Sequence, residues 1–587
     1  MADKKIKSNN VHLLISNILF PILGIAAIVA LCALLISKDI FNFKGKNLTT
    51  DGNTAKVDLL KYFNVEEDEI PVILNGLSRE LTALNKDGKW YILQADVATY
   101  LNDRFYYDKT NKAVLYTTAT TTYKYVPNDT KYTDMKSGEV TNLDYPVVLL
   151  EEENIYIELD YAKKIRQSFD YRIEENPTRV VIKTAFGTSG NIWASPVKAD
   201  RKVAIREKEG INSKVVDMVE QDEIVYVVSS GEMFTQVVKE NGCYGYLYTK
   251  YLTQVTDHNG YAWLNDPGYS NIKKDHVISL AWYQAGNGDN IDEMLSGTSV
   301  NTISPVWYQV KDIYGNVSSG ASKSFVDKMH EKGIEVWPLI SDFSISSTTE
   351  EFLSNIVARK KVIDKLIADA TKYGYDGLNI DFEYIKYGGA RHYTQFLREL
   401  SVECRANNIV LSTDNYVPMG YNNYYNRTEQ GKVVDYVIIM GYDEHTSGST
   451  QAGSVASLPY VENGIVKTMS EVELDKIING MPFYTRIWRE KADGTSEKPE
   501  IYATTDMAAT MYTINSFNAN IIWDEECGQY YAEYTAGAYK YKVWIEDAKS
   551  IEMKMKLAAN KGVKNFAYWR LGMEDSSVWS VIEQYVK

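Results

Sequence analysis

The chain predicts an α/β architecture whose C-terminal half closes as a parallel (β/α)8 TIM barrel, and three observations carry that expectation. Residues 374–384 alternate apolar Leu378, Ile380 and Phe382 with Asn379, Asp381 and Glu383. Strand side chains alternate faces, so one face is apolar and the other carries an amide and two carboxylates. Helical spacing brackets this strand, with Ile363, Leu366, Ile367 and Ala370 before it and Tyr393, Phe396, Leu397 and Leu400 after it. Finally, eight strand candidates lie at 277–282, 302–307, 334–339, 377–383, 409–413, 436–442, 476–483 and 565–569, most of them separated by helical patterns. In such a barrel the outward strand faces pack under helices, and polar groups at the C-terminal strand ends reach the mouth where chemistry occurs. Glu383 is last on the polar face and therefore nearest that mouth. Asp376 shares the parity of Leu378 and takes a structural role.

At 587 residues the chain is too long for one core. Its 45% hydrophobic and 24% charged residues are those of a globular protein. A formal net charge of −15 argues against nucleic acid as partner, which needs basic faces. Cys32, Cys243, Cys404 and Cys527 are scattered, and the six histidines are unclustered, so neither a disulfide framework nor a zinc site is predicted. No cofactor is expected.

In chain order, residues 1–12 carry Lys4, Lys5 and Lys7 as a cytoplasmic tail, and no charge interrupts 13–36. A bilayer core needs about 20 apolar helical residues, so residues 13–37 predict an uncleaved transmembrane anchor. The expected localisation is the cell membrane, single-pass, with the N-terminus inside and the catalytic part extracellular. Residues 38–190 hold a faint repeat, in which Tyr91–Leu93 leads to Phe105, Tyr107 and Val114, and Tyr156–Ile157 leads to Phe169, Tyr171 and Val181. Each repeat reads as strand, short helix and hairpin. The pattern resembles the α+β module named after the N-terminal domain of copper amine oxidases, without implying copper. Residues 191–257, ending in Gly242-Cys243-Tyr244-Gly245-Tyr246-Leu247, read as a small β-barrel and resemble a bacterial Src-homology-3 domain. The barrel follows over 270–587, with a small α+β insertion at about 486–560.

Asp376-Gly377, Asp381 and Glu383 resemble the Asp-Gly-x-Asp-x-Asp-x-Glu signature of family 18 glycoside hydrolases, the chitinase-like group, with Asn379 in place of the usual Asp. Met440-Gly441-Tyr442-Asp443 is similar to that family's Met-x-Tyr-Asp, and Tyr568-Trp569-Arg570 falls where the family keeps a tryptophan under the reacting sugar. The Asn form looks most like the spore-cortex and peptidoglycan N-acetylglucosaminidases.

A glycosidic oxygen leaves poorly unless a carboxyl hands it a proton. The resemblance implies Glu383 as that acid, with the substrate's own 2-acetamido oxygen as nucleophile and net retention. It implies Asp381 as acceptor of the acetamido N–H, Tyr442 as donor to its oxygen and Trp569 as the sugar's floor, with Asn379, Asp443 and Met440 as further substrate-binding residues. Asn379 removes one carboxylate beside Asp381, so Asp381 is expected to ionise more readily than in the Asp form. The implied partner is peptidoglycan or a related GlcNAc-containing polysaccharide, with the membrane as second partner. Three alternatives stand beside this reading. One is a catalytically weak or inactive sugar-binding protein, another is a wall tether, and the third is a magnesium site on Asp381 and Glu383, for which no third ligand is evident.

Overall fold

A computed structural model describes residues 54–63, 69–184, 193–196, 202–254, 269–286 and 288–587. These fall into two compact units, Met1–Asp96 with Leu159–Leu264, and Val97–Glu158 with Asn265–Lys587. This grouping differs from the expected 38–190 segment, because residues 97–158 pack with the barrel. Among the described residues no helix is long and apolar enough to cross a membrane. The expectation of a single-pass membrane protein with an outward catalytic part is corrected accordingly, and the segment 13–37 lies outside the described residues.

The first unit holds two sheets. In one, strands run in the order Phe169–Glu174, Arg179–Thr184, Ile70–Leu74, Leu77–Lys86 and Lys89–Leu93. Ile70–Leu74 is parallel to Arg179–Thr184 and antiparallel to Leu77–Lys86. The other is a seven-stranded sheet between residues 193 and 254. Val203, Ile205, Val216, Val219, Val237 and Leu247 fill its core.

In the second unit eight parallel strands close on themselves: β1 Ser279–Tyr283, β2 Thr302–Val310, β3 Leu339–Ser341, β4 Gly377–Asp381, β5 Val410–Tyr416, β6 Tyr436–Met440, β7 Ile477–Pro482 and β8 Asn565–Trp569. Parallel pairing of β8 with β1 closes the ring. The third expected strand, 334–339, is observed as Glu335–Val336 and then β3, interrupted at Trp337-Pro338, where proline has no N–H to give the ladder.

The helix Ile356–Tyr373 shows how β4 is placed. Asn355 caps its start by accepting the Val357 N–H, and Gly374 at φ 82° ends it in the left-handed region glycine tolerates. The chain then turns inward, and Asp376 accepts the Val336 N–H at 2.8 Å and faces His330 at 2.9 Å, pinning the lower end of β4. Outward-facing Leu378, Ile380 and Phe382 are buried. Phe382 stacks on Phe396 of the helix Ala390–Ala406 at 5.4 Å.

Two further sheets belong to this unit. After β7 the chain builds an antiparallel sheet of five strands, from Tyr484–Lys491 to Tyr539–Ile545, with the helix Met507–Ser516 on it. This occupies the place of the expected insertion. Residues 105–142 form a five-stranded meander. It packs on the barrel helices through buried charges: Asp108 pairs at 3.6 Å with Arg359, which also forks onto Glu399 at 3.0 and 2.9 Å, and Glu429 accepts from Arg104, just before the meander, at 3.3 Å and from Arg398 at 2.8 Å.

Candidate active site

The strand parity expected from the sequence is the parity observed. Asn379 and Asp381 of β4 face inward and are buried, and Glu383, two residues on, stands at the C-terminal mouth. A cleft of about 250 Å³ opens there, walled by Glu383, Asp381, Tyr442, Asp443, Met440 and Trp569, all expected from the sequence. The expectation for Asn379 needs correction. It lies beneath the cleft with no exposure, its amide committed to protein partners. Its Oδ1 accepts from Trp282 Nε1 at 2.8 Å and Ser304 Oγ at 3.2 Å, and its Nδ2 donates to Ser412 Oγ at 3.1 Å and Asp414 Oδ1 at 2.8 Å. An indole N–H only donates, which fixes the amide's orientation.

Sequence reasoning missed Trp282, Asp414, Tyr416, Tyr484 and Phe343, which also line the cleft. Asp414 and Tyr416 lie on β5, expected to end at residue 413 and observed to run to Tyr416. The alternation Ser412, Asp414, Tyr416 was the available signal. Asp342 was missed too. Its carboxylate accepts the backbone N–H groups of Glu383 at 3.0 Å and Tyr384 at 3.1 Å, gripping the chain where it leaves β4.

Carboxylates dominate the electrostatics. Burial, then the neighbouring charges of Glu383, Asp414 and Asp342, hold Asp381 well above the usual carboxylate range. Burial likewise raises Asp414, with Glu383 adding to it and the Asn379 amide opposing. Glu383 is raised by burial, with Asp443 and Asp342 adding, although its Oε2 accepts the Tyr416 hydroxyl, which favours the charged form. Asp414 thus stands as a further carboxylate near Asp381, on the neighbouring strand. Asp381 Oδ1 is buried with no hydrogen-bond partner in the protein. Asp443 accepts from the Tyr484 hydroxyl and pairs with Arg486 at 2.6 Å. Trp569 meets Trp282 edge to face at 5.7 Å. Although Asp414 is a third carboxylate, no group of three His, Cys, Asp or Glu among the described residues is arranged to hold a metal.

An eight-stranded parallel barrel with acids at its mouth is the frame of the site, and comparison with known proteins matches a family over part of the chain. Residues 301–574 match the family described as Glycosyl hydrolases family 18, and the chain carries a glycoside hydrolase domain of that family. It is 26% identical over 288 residues to the uncharacterized glycosylase YvbX of Bacillus subtilis (strain 168), covering 46% of this chain and 81% of that protein. It is also 26% identical over 240 residues to the cortical fragment-lytic enzyme of the same organism, covering 39% of this chain and 54% of that one. The chain thus spans little more than half of the second relative's length. A crystal structure of the Bacillus cereus spore cortex-lytic enzyme SleL superposes with TM-score 0.48 at 19% identity, covering 57% of this chain and 79% of that one.

Proposed function

We propose that the barrel hydrolyses N-acetylglucosamine linkages of peptidoglycan or a related polysaccharide with retention, using the substrate's acetamido group as nucleophile. The observation that carries this reading is the pairing of Glu383, its carboxyl raised by burial, with the unpartnered Asp381 Oδ1 in the same cleft. A protonated Glu383 gives its proton to the glycosidic oxygen as the bond breaks. The acetamido oxygen, already tethered, attacks the anomeric carbon and closes an oxazolinium ring, which supplies effective concentration without an enzyme nucleophile. Asp381 accepts the acetamido N–H and offsets the charge on the ring. Burial keeps Tyr442 a neutral phenol able to donate to the acetamido oxygen. Trp569 offers an apolar floor to the sugar's C–H face, with Met440 beside it and Asp443 on the wall. Glu383, now a carboxylate, takes a proton from water, which opens the ring.

Exposed aromatic rings on the rim support a polymeric substrate. Tyr387 and Tyr421 are 82% and 78% exposed, and Tyr387 meets the half-buried Tyr424 at 6.1 Å. The wall as target is supported by relatives named for spore cortex fragments. It is also supported by reading residues 191–257 as a bacterial Src-homology-3-like wall binder. The test is mass spectrometry of muropeptides released from purified peptidoglycan by wild type and by Glu383→Gln. New reducing ends from wild type, reduced about 100-fold or more in the variant, are expected. Retained binding without any release by wild type would favour the sugar-binding or tether reading instead.

A further inference from the structure

Asn379 stands where the family signature carries a carboxylate, yet a second carboxylate is present beside Asp381, on the neighbouring strand. Strands β4 and β5 pair in parallel register, Asn379 opposite Ser412 and Ile380 opposite Thr413. The next step of that register sets Asp414 beside Asp381, both facing inward and both on the cleft wall. Neighbouring strands lie about 4.8 Å apart, which sets the two inward-facing carboxyl groups side by side on one wall of the cleft. Asn379 connects the arrangement from below, its Nδ2 committed to Asp414 Oδ1 at 2.8 Å by the Trp282 indole that fixes its other end.

We propose that Asp414 is the positioning residue that takes up the proton of Asp381, a duty divided here between two strands because Asn379 cannot perform it. At rest the pair holds one proton. It sits on Asp381, whose Oδ1 receives no protein hydrogen bond, rather than on Asp414, whose Oδ1 already accepts the Asn379 N–H. As positive charge grows on the substrate ring, the O–H bond on Asp381 breaks and one forms on Asp414. Asp381 becomes the anion that meets the charge, and no proton leaves the site. Asp381 is raised by burial and then by Glu383, Asp414 and Asp342, and Asp414 by burial with Glu383 adding, so both carboxyl groups shift in the direction that retains a proton. The other titratable groups around the pair are Asp342, Glu383, Tyr393, Tyr416, Tyr442 and, beyond Glu383, Asp443.

This inference rests on the reading of the site as a substrate-assisted glycosidase, and the experiment separates the two. Rates are measured against pH on soluble glycan strands prepared from peptidoglycan, for wild type, Asp414→Asn, Asn379→Asp and the double variant Asn379→Asp/Asp414→Asn. Asp414→Asn is expected to lower kcat roughly 100-fold with KM little changed. Its acid limb moves to lower pH, because the repulsion that raised Asp381 is gone. The double variant, which returns the carboxylate to β4, is expected to recover most of kcat and the acid limb. Unchanged kcat in Asp414→Asn, or losses in the double variant that multiply those of the single ones, would overturn the proposal while leaving an active wild type as evidence for the glycosidase. A wild type silent on every glycan would instead end the glycosidase reading. A second readout needs no turnover. Infrared difference spectra at neutral pH are expected to show one protonated-carboxyl band lost in Asp381→Asn and shifted in Asp414→Asn, and no such difference also overturns the proposal.

Discussion

Glu383 must hold a proton to act as an acid, and its surroundings shift it in that direction. Burial and the nearby Asp443 and Asp342 raise it, while the Tyr416 hydroxyl pulls the other way. Activity that needs the protonated form is full below the pKa of Glu383 and lost as pH rises through it. Removing the opposing donor raises the pKa further, so Tyr416→Phe is expected to move the alkaline limb of kcat to higher pH by roughly half to one unit. A pH–rate profile checks it, and a limb that stays put or moves down would mean the hydroxyl does not act on Glu383. The same crowding weakens the fold. Asp381 and Asp414 sit above the ordinary range, so above about pH 4 the folded chain binds more protons than the unfolded one and stability falls as pH rises. Asp414→Asn removes one of the two ionisable carboxyl groups and keeps an acceptor for Asn379. It is expected to raise Tm by roughly 2 °C or more at pH 8 and by less at pH 4, read by thermal melts at both. A gain that is equal at the two pH values would remove charge as its cause.

At the scale of the element, β4 delivers two carboxylates to a fixed height, and glycine sets how closely its base can pack. A Cβ on Gly377 would lie 2.7 Å from the Trp337 ring, so Gly377→Ala must displace either the indole or the strand. Overpacking of this kind costs about 1–3 kcal/mol, and a shifted β4 carries Asp381 and Glu383 out of line. Chemical denaturation and kcat together are expected to show both losses, and a destabilised variant with intact kcat would show that the indole yields instead. This strand was legible because its two faces differ so sharply in polarity. Strand β5 was legible only in part. Its tail, Asp414-Asn415-Tyr416, is polar and reads as loop, and only the ladder to Tyr436–Met440 shows it to be strand. Asp414 and Tyr416 went unseen for that reason, and so did Asp342, whose role lies in bonds to backbone N–H groups that no side-chain pattern records.

Across the whole of the second unit, the meander of residues 105–142 and the barrel are joined by charges that hydrophobic patterning cannot announce. Glu429 is 3% exposed and serves two guanidinium groups, Arg104 at 3.3 Å and Arg398 at 2.8 Å. A second buried knot places Arg359 between Glu399 at 2.9 Å and Asp108 at 3.6 Å. Read along the sequence, these residues look like ordinary solvated charges, which is why the segment seemed to belong with the strands before and after it. Buried ion pairs add little over a well-packed apolar contact, but losing one partner strands the other at a cost of about 3–5 kcal/mol. Glu429→Gln is therefore expected to destabilise the unit by about that much in urea denaturation. Asp103→Asn is expected to cost about 1 kcal/mol or less, since its carboxylate is 41% exposed where it meets Arg398. Hydrogen exchange separates a local from a global effect. In Glu429→Gln the amides of Phe105–Asp108 and Ala113–Thr117 should lose protection before those of β1 and β8, because the contact removed joins the meander to the barrel and not the barrel to itself. Equal costs for the two substitutions, or loss of protection that begins in the barrel strands, would show that the meander is held by its apolar contacts and that the buried charges merely accompany them.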